Sequence, residues 1–537
     1  MRISNGIAGG IVSAALCLVL MASSSLGADW PMINGDAGNT RDAPTETAIS
    51  ADTAQNLTPT FTLQAAGDVW TTPTVVDGAL YFVDGGGVLT KADAKTGAII
   101  WTHQISDYDG VAKAVSRGTP AYADGMLVLG DRSGAHLIGI DAATGEKKWI
   151  TQVDAYPSAI ITSSPIIGGD QAFVGVSSSD GSKIIADPTF KSTFRGSLAS
   201  VDIHTGKLLW KTFTMPDNGG QPDGWSGGAV ISVAAADAGA GIVYFSTDHE
   251  YTQPASVMAC LDAAHNDWKD SCYPAAARFD SVVAVDMKSG TPKWTFRGFG
   301  NDVYELACGV LPSPAAPFST TPSGSPAPVR YCPPEADYLN WAFAAGSPQL
   351  YKATVDGKHR DLVAIAQKSG ILWSLDAETG AVVWHTQIGP YSEPGGLTWG
   401  TAYDGKHLFV TLTNLDHTPY ALVAGVDKGT AVTGGVWSAL EPATGALVWQ
   451  TADPQNASDY AAPAVANGVV FAGSMAKTGS QMYAMNADSG QIIWQFAAGA
   501  SIASHPAVAD GIVYWGSGFS LFGGVSGKTL YAFGLPR

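Results

Sequence analysis

The sequence predicts an all-β protein, an eight-bladed propeller of four-stranded antiparallel blades, and two repeated patterns predict it. In the first, an acidic or amide residue is followed by Thr-Gly or Ser-Gly and then by Trp. It occurs at Asp93-Thr96-Gly97-Trp101, Asp141-Thr144-Gly145-Trp149, Asp202-Thr205-Gly206-Trp210 and Asp286-Ser289-Gly290-Trp294. It returns at Asp376-Thr379-Gly380-Trp384, Glu441-Thr444-Gly445-Trp449 and Asn486-Ser489-Gly490-Trp494. The second pattern precedes most copies: two strand-like runs around a turn, as in TTPTVVDGALYFVD from Thr71 and SHPAVADGIVYWGS from Ser504. One unit therefore reads strand, turn, strand, strand, Thr-Gly turn, and a strand carrying Trp. Glycine takes the positive φ of the tight turn, the Thr or Ser hydroxyl closes it, and the Trp wedges between adjacent sheets.

The elements follow in chain order. Met1 to Ala28 has Arg2, an apolar run from Ile7 to Met21, and Ser25-Leu26-Gly27 as a small-residue cleavage site, the layout of a secretory signal. That run is short for a membrane span. The expected mature chain, residues 29–537, is one propeller domain in the periplasm or outside the cell. Seven units end in Trp, and the tail from Ser504 to Phe533 supplies further strands without that close. The segment DWPMINGDAGNTR is expected to donate the missing outer strand, so that pairing of the two chain ends latches an eighth blade and removes free sheet edges. Seven blades with a loose tail is the alternative. The intervals from Trp210 to Trp294 and from Trp294 to Trp384 are long, so the fourth and fifth units carry insertions. Insertions of this kind gather on one face and wall a pocket over the channel.

Composition narrows the function. With 63 Gly, 16 Trp and 14% charged residues among 537, the chain is turn-rich and ordered. A formal net charge of −18 argues against nucleic acid or an anionic membrane as partner. Removal of the signal leaves Cys260, Cys272, Cys308 and Cys332, an even number, and local pairing gives Cys260–Cys272 and Cys308–Cys332. The second pair brackets the Pro- and Ser-rich LPSPAAPFSTTPSGSPAPV. No Cys-x-x-Cys-His or His-Glu-x-x-His motif is present, so covalent haem and zincin chemistries are set aside.

The segments between the repeats resemble those of pyrroloquinoline quinone (PQQ)-dependent quinoprotein alcohol dehydrogenases, and among these the polyvinyl alcohol dehydrogenases. The matching stretches are DWPM, CLDAAHNDWKDSCYPAAARFDSVVAVD, NDVYELAC, RYCPPEADY, QKSGILWSLDAETG, GGLTWGTAYDGKHLFVTLTN and VYWGSG…LYAF, covering nearly the whole mature chain. The resemblance implies an eight-bladed propeller with PQQ and a Ca2+ ion on its axis.

It further implies that Arg117, in SRGTP, pairs with a carboxylate of the quinone, which suits a planar fork of donors. Lys368, in QKSG, would reach the quinone oxygens. Trp399 and Asn414 would line the pocket. Calcium ligands would come from Asp180, from Asp248 and Glu250 in the turn Asp248-His249-Glu250, and from Glu305. Glu305 or Asp302 would be the base that takes an alcohol proton. Three positions depart from the family pattern. Ile231 stands where many relatives place a Trp beneath the quinone, with Trp225 six residues earlier. The Asp248-His249-Glu250 turn is not the usual one, and Glu305 stands where an Asp is common. The implied substrate is a secondary alcohol, on a small molecule or a polymer, with electrons leaving to a separate cytochrome c or other acceptor. A binding propeller that has lost the quinone, and a quinoprotein acting on sugars or aldehydes, are the two rival readings.

Overall fold

The computed structural model describes residue 1 and residues 29–187, 189–263, 272–298, 342–343, 346–392 and 395–536. Eight four-stranded antiparallel blades follow one another. The first runs through strands Thr74–Val76, Ala79–Val83, Val88–Asp93 and Ile99–Gln104. The next six span 121–152, 166–213, 235–297, 349–387, 397–452 and 464–496. The eighth takes Ala507–Ala509, Ile512–Gly516 and Thr529–Gly534 from the C-terminus and its outermost strand, Thr58–Gln64, from the N-terminal part. Thr62 pairs with Tyr531 and Leu63 with Leu530 in that join. The ring is thus closed by strands from both ends.

The donating segment differs from the expected one. Thr58–Gln64 supplies the strand, whereas DWPMINGDAGNTR is an irregular plug. Pro31, Gly35 and Gly38 break any strand pattern in it, and its backbone groups reach across to the innermost strands. Trp30 bridges Val75, Pro31 O accepts from Tyr122 N, and Ala37 O accepts from Ala236 N. Gly38 O accepts from Leu350 N, Thr40 O from Tyr403 N, and Arg41 O from Val465 N. Glu46 Oε2 then accepts from Gly511 N, and Met32 joins the apolar cluster of the third blade. One short segment therefore ties all eight blades together at one end of the axis.

The Thr-Gly-Trp repeat has a clear physical role. Asp202 Oδ1 accepts from the backbone N and hydroxyl of Thr205, both at 2.8 Å, and these bonds hold its carboxyl below the usual range. Gly206 follows at φ +71°. The Trp of each blade lies in the middle of the outermost strand and donates its indole N–H to the turn of the next: Trp149 to Ile203 O, Trp210 to Met287 O, Trp294 to Ala377 O and Trp449 to Ala487 O. In the eighth blade Phe61 takes the place of Trp, against Gly97.

Of the long insertions, residues 247–280 leave between the second and third strands of the fourth blade. They carry the Cys260–Cys272 disulfide, with Cα atoms 5.7 Å apart. Trp225, Tyr273 and Phe279 form a small core of their own beside it. Asp302, Glu305, Cys308 and Cys332 lie outside the described residues, as do residues 2–28.

Candidate active site at the channel mouth

Opposite the plug, the segments that lead into the innermost strands surround an axial cavity. Thr72, Ser164, Val233, Ser347 and His505 each stand two residues before such a strand. Ile33 of the plug forms part of the lining from below. Arg117 enters from the SRGTP turn, whose shape is set locally. Ser116 Oγ donates to Gly130 O at 2.6 Å, and Thr119 N donates to Ser164 Oγ at 2.9 Å. Gly118 is needed because a Cβ there would come 3.0 Å from Ser163 O.

The Arg117 guanidinium lies 5.2 Å from the centre of the Trp399 ring, and no ion pair engages it among the described residues. Tyr460 meets Trp399 edge-on, with ring centres 5.7 Å apart, and Phe519 stacks on Tyr460 at 5.3 Å. Arg132 stands close enough that the Arg117 charge, after burial, helps lower its affinity for its proton. A guanidinium over an aromatic ring, with a second guanidinium charge nearby, favours a flat, anionic ligand. Three buried polar atoms of the lining have no partner among the described residues: Trp70 Nε1, Thr72 Oγ1 and His505 Nδ1. Burial, and then the charge of Arg41, keep the His505 imidazole well below its usual pKa, so it is neutral at pH 7 and can accept or donate. A rigid planar tricarboxylate such as PQQ fits this donor set.

A second polar cluster adjoins the cavity. Asp248 N donates to Ala229 O, two residues before Ile231, which lines the cavity. Lys368 Nζ stands 3.9 Å from Asp248 Oδ1, and His249 Nδ1 2.8 Å from the same oxygen. Burial alone would raise the Asp248 carboxyl, yet His249 and Lys368 together hold it below the usual range. Asp248, His249 and Asp280 offer ligand atoms within 4.8 Å of one another, and all three residues are buried. Two buried aspartates side by side suit a hard cation. Glu250 is buried in the short strand that follows.

The structure distributes the sequence-derived residues unevenly. It brings Arg117, Trp399 and Ile231 to one cavity, and Lys368 and Asp248 to the adjoining cluster. Trp225 belongs to the core of the insertion and cannot replace the Trp that Ile231 displaces. Asn414 and Asp180 have other surroundings. Asn414 does not line the axial cavity: its carboxamide N donates to the carbonyls of Thr418, Thr433 and Gly434, which fixes the 414–434 loop. Asp180 is fully buried, with Tyr156 and Ser192 hydroxyls at 2.6 and 2.7 Å on one oxygen and Lys183 Nζ at 2.9 Å on the other. Both of its oxygens accept hydrogen bonds within the chain. Asp280, Arg132, Trp70 and His505 were not singled out from the sequence; each is isolated in the chain and reaches the site only through the closed ring.

Residues 42–295 and 432–533 match the family model described as outer membrane protein assembly factor BamB. The chain belongs to this PQQ_2 family, within the quinoprotein alcohol dehydrogenase superfamily. A polyvinylalcohol dehydrogenase of Pseudomonas sp is 27% identical over 84% of this chain and 65% of its own length. A second, from Sphingopyxis sp. (strain 113P3), is 27% identical over 83% of this chain and 66% of its own. The chain thus spans just under two thirds of the length of these relatives. The crystal structure of quinohemoprotein alcohol dehydrogenase from Comamonas testosteroni superposes with a TM-score of 0.67 at 19% identity, covering 95% of this chain and 81% of that one. At that identity the superposition speaks for the fold alone.

Proposed function

We propose that this PQQ_2 protein is a periplasmic or secreted quinoprotein that oxidises secondary alcohols of the polyvinyl alcohol type. The observation that carries the reading is Arg117 poised over Trp399 at the channel mouth, amid buried polar atoms that lack partners among the described residues. The two polyvinylalcohol dehydrogenases among the relatives support the substrate class.

Bound PQQ would supply the electron acceptor for oxidation of the alcohol carbon. The chain's own groups have separate tasks. Arg117 holds a carboxylate edge, and Trp399 supplies an apolar face for a flat ring. Lys368 presents a cation where negative charge develops. Asp248 and Asp280, with Glu250 and Glu305 as further carboxylates, would hold Ca2+, whose role is to polarise an oxygen. Glu305 or Asp302 would take the hydroxyl proton. A separate cytochrome c or other one-electron acceptor would collect the electrons.

The test is to add PQQ and Ca2+ to purified protein and follow dye reduction with secondary alcohols, polyvinyl alcohol, sugars and aldehydes. Turnover confined to the alcohols supports the reading. Turnover on sugars or aldehydes alone moves the protein to another quinoprotein class, and no binding of PQQ leaves a noncatalytic propeller.

A further inference from the structure

Arg41, in the plug, is fully buried, and no carboxylate of the described residues pairs with it. Its Nη1 donates to Thr401 O at 2.6 Å, its Nη2 donates to Trp399 O, and its Nε has no acceptor among the described residues. Burial pulls the group down to about 9, so it remains charged at neutral pH. The carbonyls that it grips belong to a bulge. The pairing of the innermost strand of the sixth blade slips between Leu397 and Thr401, with Trp399 at φ +61° and Gly400 at φ +100°. A bulky aromatic residue at positive φ is strained and persists only where its surroundings enforce it. The bulge also re-aims the side chain, and Trp399 lines the axial cavity. Gly400 makes room for the clamp, since a Cβ there would lie 2.9 Å from Arg41 Nη1.

We propose that Arg41 is a positioning residue for the axial site: it clamps the Trp399–Gly400 bulge from the plug side, so that the Trp399 ring stands beneath Arg117. Its buried charge adds to the preference of the cavity for an anionic ligand. The positioning role stands on the geometry alone; the identity of the ligand rests on the proposed function.

The experiment uses the full chain with Arg41→Met and Arg41→Lys, each with and without Trp399→Phe. In ligand-free protein, the Trp399 contribution to near-ultraviolet circular dichroism and fluorescence is obtained by difference. Arg41→Met is expected to lose the Trp399 signature while keeping the far-ultraviolet β spectrum, and Arg41→Lys to restore part of it. With Ca2+ present, PQQ titration is expected to give about tenfold weaker binding for Arg41→Met and an intermediate value for Arg41→Lys. If Arg41→Met does not fold, Arg41→Lys decides: an unaltered Trp399 signature there overturns the proposal. An unaltered signature and affinity in a folded Arg41→Met also overturn it. Failure of the wild-type protein to bind PQQ would remove the functional reading yet leave the Trp399 signature as the test of Arg41.

Discussion

The ring of Trp149 lies so close to Gly206 that a Cβ on that glycine would come within 2.6 Å of it, while the indole N–H donates to Ile203 O at 2.8 Å. Glycine is therefore required twice there, for its positive φ and for the packing of one blade on the next. Gly125 has a similar φ of +77° but open space around it, which separates the two requirements. Gly125→Ala is expected to cost about 1 kcal/mol, and Gly206→Ala roughly 3 kcal/mol because it also displaces a tryptophan. Urea denaturation of both variants checks this; equal losses would show that the Trp contact adds nothing.

Asp42 joins the plug to the seventh blade beside Val465. Burial, with the nearby charges of Asp404 and Asp36, pushes its carboxyl up from 3.8 to about 7. A raised folded pKa means that the native state holds more protons than the unfolded one in that window. Stability from this group is therefore present below about pH 4 and is lost as pH rises to 7. Asp42→Asn should remove this component and stabilise the protein above pH 7 by about 1–2 kcal/mol. Thermal melts from pH 4 to 8 would show it as a flatter profile, and parallel profiles would refute it.

The Cys260–Cys272 bridge closes a loop over the fourth blade, with a sequence separation of 12. Replacing both cysteines by serine should loosen residues 247–280 and cost on the order of 3 kcal/mol. Limited proteolysis is expected to cut this insertion first. Cleavage elsewhere at an unchanged rate would contradict that expectation.

Lys368, 3.9 Å from Asp248 Oδ1, is assigned to charge that develops during reaction. Lys368→Met should lower kcat by roughly 10²-fold or more, with a smaller change in KM. Dye-linked kinetics separate the two. A change confined to KM would make Lys368 a ground-state binding group instead.

The fold was legible because its signal is local. Each Asp, Thr and Gly of a turn meets within a few residues, as in Asp202, Thr205 and Gly206, and a repeat multiplies the evidence. The closing strand was harder to see. Thr58–Gln64 is exposed along most of its length and buries only Leu63, so it shows no apolar alternation, whereas DWPM has apolar residues and no strand. At the site, Arg117, Trp399, Lys368 and Asp248 were legible through family motifs. Arg41, Trp70, Arg132, Asp280 and His505 were not, because each touches the site from a different part of the ring and no spacing in the chain records their meeting. Asn414 shows the opposite error: its neighbourhood matches a motif, but its carboxamide serves the backbone of its own loop.

The most direct measurement is a PQQ titration of the purified protein in the presence of Ca2+, read by quenching of tryptophan fluorescence, on wild type and Arg117→Ala side by side. Saturable binding to wild type that weakens by about 10²-fold or more in Arg117→Ala, at unchanged melting temperature, is the predicted result. Equal affinity in the two proteins, or no binding to wild type, would contradict a quinone held at the mouth of this channel.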